Sequence, residues 1–380
     1  MRFDKVTQPL LRRHIAAALL LAFLFSGSAE AQEECRQPEP VCAARGSVFA
    51  ISGPGGIGSA TRLSATELVT TRHLIADVTE VELFLESGER IKASVVASAY
   101  EADLILLSAP GLPAGPALDP ADGPVRAPLF TVGADVSFGR IRAYDPGDIL
   151  LAPADGHPFA RLHHTAYGQP AHSGGALVGA DGRLAGIVAA GGDGRFEAIP
   201  AAAIAELRQK SGADFSAASD EIGGAIRICM LNLDRHRADQ TPLSDQEASA
   251  LATSCSRSRN RQNMDLAAQV LGMKGRFDES IALFEAALEE DPNALNARMG
   301  LAVSYHLAAR YEEEIPHLAF LMQHLPDDHQ VLRLALQAGI WGGDRALAER
   351  AYERIETVNP QMLPVAKRFL ENPPPRPKRR

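Results

Sequence analysis

The sequence predicts a multidomain chain: an all-β region holding two small barrels, followed by an all-α array of stacked helical hairpins. Three observations carry this reading. From Gly46 to about Pro200, short runs rich in Val, Ile, Leu and Thr alternate with Gly, Pro and Asp turns. Many short strands at such spacing fit a sandwich or barrel rather than βαβ units. A Pro/Gly-rich bridge from Pro110 to Pro128 divides that region into two parts, each large enough for a small barrel. Further on, Ala, Leu and Glu recur at helical spacing, and Pro292, Pro326 and Pro360 fall 34 residues apart. A fixed period of that length signals stacked repeats.

The chain has 380 residues, which suggests two or three domains, and 46% of them are apolar, ample for real cores. A net charge of −9 and an isoelectric point near 5.7 exclude a general nucleic-acid binder. At the N-terminus, Arg12, Arg13 and His14 precede the apolar run Ile15 to Phe25, and Ala29-Glu30-Ala31 offers small residues for cleavage. The run is about half a bilayer span. Residues 1–31 therefore read as a secretory signal peptide, with an uncleaved anchor as the alternative. Its removal takes away four basic and two acidic residues and moves the charge from −9 to −11. The expected location is exported, periplasmic or secreted.

Cys35 and Cys42 lie in the segment 32–45, and Cys229 and Cys255 lie far downstream. An even number of cysteines in an exported chain favours disulfides over metal ligation. Nearest-neighbour pairing joins Cys35 to Cys42 and Cys229 to Cys255, while two other pairings are formally possible.

In the first half the strands are "GSVFAIS", "ELVTT", "EVELFLESGERIKASVVAS" and "DLILLSAP". The second half has "PLFTVGAD", "GRIRAYDPGDILLAP" and "GALVGADGRLAGIVAAG", and "PAAAIAELRQK" (200–210) closes it as a helix, bounding a domain at 46–210. Residues 211–225 read as a polar linker and 226–260 as a helical hairpin with Cys229 and Cys255 at the same end. Three repeats follow at 261–294, 295–328 and 329–362, with a capping helix to 371 and a disordered basic tail at 372–380. Phe277 and Tyr311 are 34 apart, as are Phe284, Leu318 and Tyr352. This pattern resembles the tetratricopeptide repeat, although the third copy has Arg345 where the others have an aromatic.

Chemistry concentrates at "QPAHSGGALVGADGRLAGIV" (169–188). A serine nucleophile needs a base, a group that fixes the base's tautomer, and N–H donors for the oxyanion. His73 in "TELVTTRHLIAD" follows an apolar strand, Asp103 in "YEADLILLSAP" stands at the mouth of another, and Ser173 comes seventy residues later. The order His, Asp, Ser on an all-β chain fits a double-barrel protease and not an α/β-hydrolase.

Residues 46–200 resemble the trypsin-like serine proteases, nearest the HtrA-type branch. "LVTTRHLI", "ADLILL", "SGGALVGADGRLAGIV" and "RFEAIPAAAI" carry the likeness, which covers roughly 160 of 380 residues. The resemblance implies His73 as general base, Asp103 as its orienter and Ser173 as nucleophile, with the backbone N–H groups of Ala171 and Ser173 as oxyanion hole. It also implies a neutral specificity pocket lined by Tyr167, Ala189, Ala190 and Gly191. Two positions depart from the family: Ala171 stands where it has Gly, and His172 where it has Asp or Asn. His172 reads as a loop side chain turned away from Ser173. Helical repeats follow the protease region where the HtrA branch has PDZ domains.

His157, His163 and His164 have no carboxylate or cysteine at ligand spacing, so neither a metal nor another cofactor is expected. "GPGGIG" (53–58) lacks a P-loop lysine and reads as a surface turn. The expected function is an exported serine endopeptidase acting on protein or peptide substrates, with a protein partner on the repeat groove. The alternative is a protease fold with weak or lost catalysis whose repeats make it a binding scaffold.

Overall fold

A short helix α1 (Glu39–Ala43) leads into six strands: β1 (Val48–Gly53), β2 (Gly56–Arg62), β3 (Glu67–Thr70), β4 (Glu80–Phe84), β5 (Arg90–Val95) and β6 (Ile105–Ser108). They close a barrel in the order β1-β2-β3-β6-β5-β4, every pair antiparallel. In β4 the burial alternates residue by residue, with Val81 and Leu83 inward and Glu80 and Glu82 outward. That is the period of a strand with one wet face. The one-turn helix α2 (Arg72–Ile75) joins β3 to β4. This computed structural model describes residues 35–378 apart from 122, 138 and 238–240. The signal-peptide reading for residues 1–31 lies outside the described residues.

The second half forms a seven-stranded antiparallel sheet. Its strands are β7 (Leu129–Asp135), β8 (Arg140–Ala143), β9 (Ile149–Leu151), β10 (Leu162–His164), β11 (Ala176–Gly179), β12 (Leu184–Gly192) and β13 (Arg195–Pro200). The order is β8-β7-β11-β12-β13-β10-β9, and a single bridge from Leu129 to Gly147 draws the β9 end back toward β7. One apolar cluster joins both halves, with Val69, Leu104 and Leu106 from the first and Phe130, Val132 and Ile187 from the second. Helix α3 (Ala203–Gln209) seals it with Ile204 and Leu207.

The rest of the chain is helical: α4 (Ser216–Arg237), α5 (Asp245–Ser258), α6 (Arg261–Met273), α7 (Phe277–Glu290), α8 (Leu295–Leu307), α9 (Tyr311–His324), α10 (His329–Gly342), α11 (Arg345–Val358) and α12 (Leu363–Glu371). The starts of α6, α8 and α10 fall 34 residues apart, as do those of α7, α9 and α11. Ser244 caps α5 in a reciprocal pair with Glu247, and Asn260 caps α6. Cys35 and Cys42 lie at bonding distance, as do Cys229 and Cys255, whose Cα atoms are 5.8 and 4.6 Å apart. In the chain-entropy model, closing the loop between α4 and α5 disfavours the unfolded chain by about 3 kcal/mol.

Two expectations need correction. The stretch read as a linker at 211–225 is helical from Ser216, because its Ala, Ser and acidic residues form the first turns of α4. The tail read as disordered folds back on the array. The Trp341 indole donates to Pro374 O at 3.2 Å, and Arg376 pairs with Glu312 over the Tyr311 ring.

The barrels and the array share a buried ionic cluster. Glu197 of β13 accepts from Arg161 (3.2 Å), Arg261 of α6 (2.7 Å) and Asn296 of α8 (3.0 Å). Arg261 also reaches Asp291 (2.5 Å), which accepts from the Arg161 N–H and lies 3.3 Å from the His163 ring. Burial alone would raise both carboxyls. Arg261, His163 and Arg161 outweigh it at Glu197, and the His163 and Arg261 bonds do so at Asp291, so both are held below the usual carboxylate range.

Arg261→Met should cost about 3 kcal/mol in urea denaturation at pH 7, because it leaves two buried carboxylates short of a partner. Carboxyls whose folded pKa is depressed stabilise above their unfolded value of about 4, and that contribution fades as pH falls through the folded values. The difference between wild type and variant should therefore shrink in acid.

Candidate active site

His73 sits in α2, directly after β3. The "GPGGIG" turn seats this helix: Gly55 N–H donates to Leu74 O at 3.1 Å, and a Cβ on Gly55 would lie 2.6 Å from His73 O. The turn is thus packed against α2 as well as solvent-facing. Asp103, just ahead of β6, accepts from the His73 backbone N–H (2.8 Å) through Oδ1 and meets His73 Nδ1 through Oδ2 (2.7 Å). A further donor comes from the helical array, where Asn260 Nδ2 reaches Asp103 Oδ1 at 2.7 Å. Arg161 Nη2 lies 3.7 Å from Oδ2. Burial pushes the Asp103 carboxyl up, but His73 and Arg161 pull it further down, so it stays ionised.

Ser173 follows a 3-10 turn, Pro170–His172, ahead of β11. The loop is fastened to the first barrel. Ser59 of β2 donates N–H to Ser173 O (2.8 Å) and Oγ to Ala171 O (2.7 Å), and Thr61 Oγ1 donates to Gly174 O (3.0 Å). Gly174 has φ +84°, and any Cβ there would run into Ser59 O and Thr70 Oγ1, so the position requires glycine. His73 and Ser173 line one cleft, but no hydrogen bond joins them; Ser173 Oγ donates to Ala189 O at 3.2 Å.

The two expected oxyanion donors are not free together. His172 N–H donates to Gln169 O (2.9 Å) and Ser173 N–H, more weakly, to Pro170 O (3.4 Å). Pro170 C=O thus occupies the Ser173 donor. Turning the Pro170–Ala171 peptide over would exchange that carbonyl for the Ala171 N–H. It would also convert the turn from type I to type II, which needs φ above zero at Ala171, and a Cβ disfavours that. His172 is buried and turned from the cleft against the Tyr144 ring, its centroid 4.3 Å away. Burial lowers its pKa to about 4, so it is neutral at pH 7.

Residues 58–187 match the family described as Trypsin-like peptidase domain. Among curated proteins nothing matches the chain. Of solved structures, the Rv3671c protease in its inactive form, from M. tuberculosis H37Rv, is 22% identical at a TM-score of 0.40. That similarity spans 47% of this chain and all of the other. The HtrA-type protease AlgW, solved with a tripeptide, is 27% identical at a TM-score of 0.39, over 45% of this chain and 61% of AlgW. The N-terminal part of the chain has a trypsin-like peptidase fold, and an all-helical region follows it.

The structure brings together only some of the residues expected in the specificity pocket. Ala189 and Gly191 line the cleft; the Ala190 side chain lies outside the described residues, though its backbone pairs with Glu197. Tyr167 does not line it. Its ring is half exposed and packs beside Tyr144 and Phe196 at centroid distances of 5.3 and 6.3 Å. Phe196 occupies the wall instead, so close that a Cβ on Gly168 would lie 2.7 Å from its ring. The cleft wall at Ala189 and Phe196 is apolar. His163 and His164 are buried in β10, His157 lies outside any strand, and no group of side chains suited to a metal ion occurs among the described residues.

The sequence reading missed Asn260, Arg161 and Glu197. The N-cap pattern "SRNRQN" could have flagged Asn260 as a helix start, but not as the partner of Asp103. Its two functions separate by substitution. Asn, Asp and Ser cap helices about equally well. Asn260→Ser should lose about 2 kcal/mol, the value of a hydrogen bond to a buried charge. Asn260→Asp should lose more, and the gap should widen as pH rises and the second carboxylate ionises beside Asp103. Urea denaturation at pH 5 and pH 8 checks both.

Proposed function

We propose that this protein is an exported serine endopeptidase in which Ser173 is the nucleophile, His73 the general base and Asp103 the residue that orients His73. The observation that carries this reading is the 2.7 Å contact between His73 Nδ1 and buried, ionised Asp103, with Ser173 in the same cleft. Asp103 holds the proton on Nδ1 and leaves Nε2 free to accept. Ser173 Oγ attacks the peptide carbonyl as its proton passes to His73 Nε2, and the carbonyl oxygen becomes an oxyanion. His73 then gives that proton to the leaving amine, forming an acyl-enzyme. Water, deprotonated by His73, attacks the ester, and His73 returns that proton to Ser173 Oγ as the new carboxyl terminus leaves.

Two cysteine pairs at bonding distance fit an oxidising compartment. Among the described residues no helix is long and apolar enough to cross a membrane. The helical hairpins are read as tetratricopeptide-type repeats that take a polypeptide. The apolar cleft wall at Phe196 and Ala189 favours small or aliphatic side chains.

A second reading, a catalytically weak scaffold, draws on Ser173 N–H facing Pro170 O and Ser173 Oγ facing Ala189 O. A fluorophosphonate probe separates the two. Wild type should be labelled and should cleave casein, and Ser173→Ala should abolish both with little change in Tm. Hydrolysis that survives in that variant removes Ser173 from the mechanism; an unlabelled, inactive wild type favours the scaffold.

The resting turn gives a further expectation. Glycine at 171 removes the penalty on φ above zero, so Ala171→Gly should raise kcat on a small ester by up to about a hundredfold, the worth of one oxyanion donor. An unchanged or lower rate in steady-state kinetics means that the alanine loop already serves the oxyanion.

A further inference from the structure

We propose that the helical array forms the second wall of the substrate cleft, and that the polypeptide it holds is the substrate's own segment N-terminal to the scissile bond. This rests on Ser173 as the reacting residue.

The cleft that holds His73 and Ser173 is bounded on its far side by Leu233 of α4 and by Gln262, Asn263 and Leu266 of α6. A cavity of about 490 Å³ adjoins it and shares Gly191, Gln262 and Leu266. The two spaces form one path from Ser173 into the groove between α6 and α8, where Met299 and Val303 add apolar surface.

One side of this path is a strand edge. β11 pairs with β12 only as far as Ile187, whereas β13 follows β12 to Gly192. Val188 bonds to the serine loop through Gly174 and Gly175. From Ala189 to Gly192 no strand among the described residues pairs with the second edge of β12, and such an edge readily accepts an added strand. All pairings between the strands of this sheet are antiparallel, and the one parallel bridge, Pro120 to Leu184, lies at the far end of β12. An added antiparallel strand enters near Gly192 and ends near Ala189, whose carbonyl touches Ser173 Oγ, so its earlier residues lie in the repeat groove.

The other side carries polar atoms suited to a peptide backbone. Asn263 Nδ2 and Asp265 Oδ1 are buried without a hydrogen-bond partner, on side chains of residues only 4% and 7% exposed. Asn263 lines the cleft and Asp265 the adjoining cavity. An orphaned buried polar atom costs about 1–3 kcal/mol. An extended peptide offers a carbonyl to the amide of Asn263 and an N–H to the carboxyl oxygen of Asp265, while an apolar side chain meets Leu266, Met299 and Val303. Asp234 and Arg237 of α4 also line the cleft, so an extended segment of either charge with an apolar residue fits this chemistry, and a folded domain does not.

The test has two arms on the full chain. In the first, two nested casein peptides share one mapped cleavage site and carry two or eight residues ahead of it. Wild type should cleave the longer at least tenfold more efficiently, and Asn263→Ala or Gln262→Ala should cut that ratio about tenfold, mainly through KM. Gln262 is only half buried, so its variant serves if Asn263→Ala fails to fold. In the second arm, fluorescein-labelled unfolded casein is titrated against Ser173→Ala protein by anisotropy, and the same α6 substitutions should weaken binding about tenfold. A wild type that turns over neither peptide while this binding loss persists rejects Ser173 chemistry and keeps the wall. Equal cleavage of the two peptides, or casein binding indifferent to both substitutions, overturns the wall. Casein that binds without competing against the short peptide overturns it too, in favour of a separate partner.

Discussion

Glu197 is a carboxylate with no exposed surface, and the whole arrangement of barrel against helices depends on how its charge is met. An ion there is tolerable only with partners in good geometry. Arg161 immediately precedes β10 of the same sheet, but Arg261 and Asn296 come from α6 and α8. The docking of helices on barrels is therefore fixed in register by directional bonds, not only by apolar contact. A slip of one helical turn would strip Glu197 of Arg261 and Asn296, and Asp291 of the Arg161 N–H and the His163 ring, leaving each buried carboxylate with a single arginine.

That register also sets the surroundings of Asp103. Asn260 immediately precedes Arg261, so the ionic anchor places the Asn260 amide against the carboxylate that holds His73. The same helix continues through Gln262, Asn263 and Leu266 along the cleft. One element thus touches the ionic cluster, the oriented aspartate and the space in front of Ser173. Arg72, next to His73, adds a second tie, with its guanidinium bonded to Ser98 O and to Ser219 O of α4. Its burial lowers its pKa to about 10, still charged at neutral pH.

What the sequence made legible was local. Period-two alternation marked strands such as β4, and the 34-residue period marked the helical hairpins. His73 and Asp103 stood out because each follows or leads an apolar strand. The contacts that cross from barrel to helix were not legible. Glu197 lies in "RFEAIP", where Arg195 and Glu197 alternate with apolar residues and read as outward, and only the docked helices turn that face into an interior. Tyr167 was expected in the pocket only through the resemblance to trypsin-like proteases; Phe196, from a strand more than twenty residues later, fills the wall instead. The linker reading of 211–225 failed because polar composition does not distinguish a solvated loop from a helix whose outer face is wet. The tail was misread for a related reason: nothing local in "PPPRPKRR" reveals that Trp341 and Glu312 wait 33 and 64 residues upstream of their partners.

The sequence separation within the ionic cluster has a consequence for how the protein is made. Glu197 precedes its partner Arg261 by 64 residues. During vectorial synthesis the barrels emerge before α6 exists, with Glu197 facing water and Asp103 lacking the Asn260 amide. A nascent chain stalled or truncated ahead of α6 carries His73, Asp103 and Ser173 with the bonds that the barrels supply, yet lacks the Asn260 amide on Asp103 and the α6 side of the cleft. A fragment clipped at the end of the barrels keeps only Arg161 of the two arginines on Glu197 and is a poor surrogate for the whole.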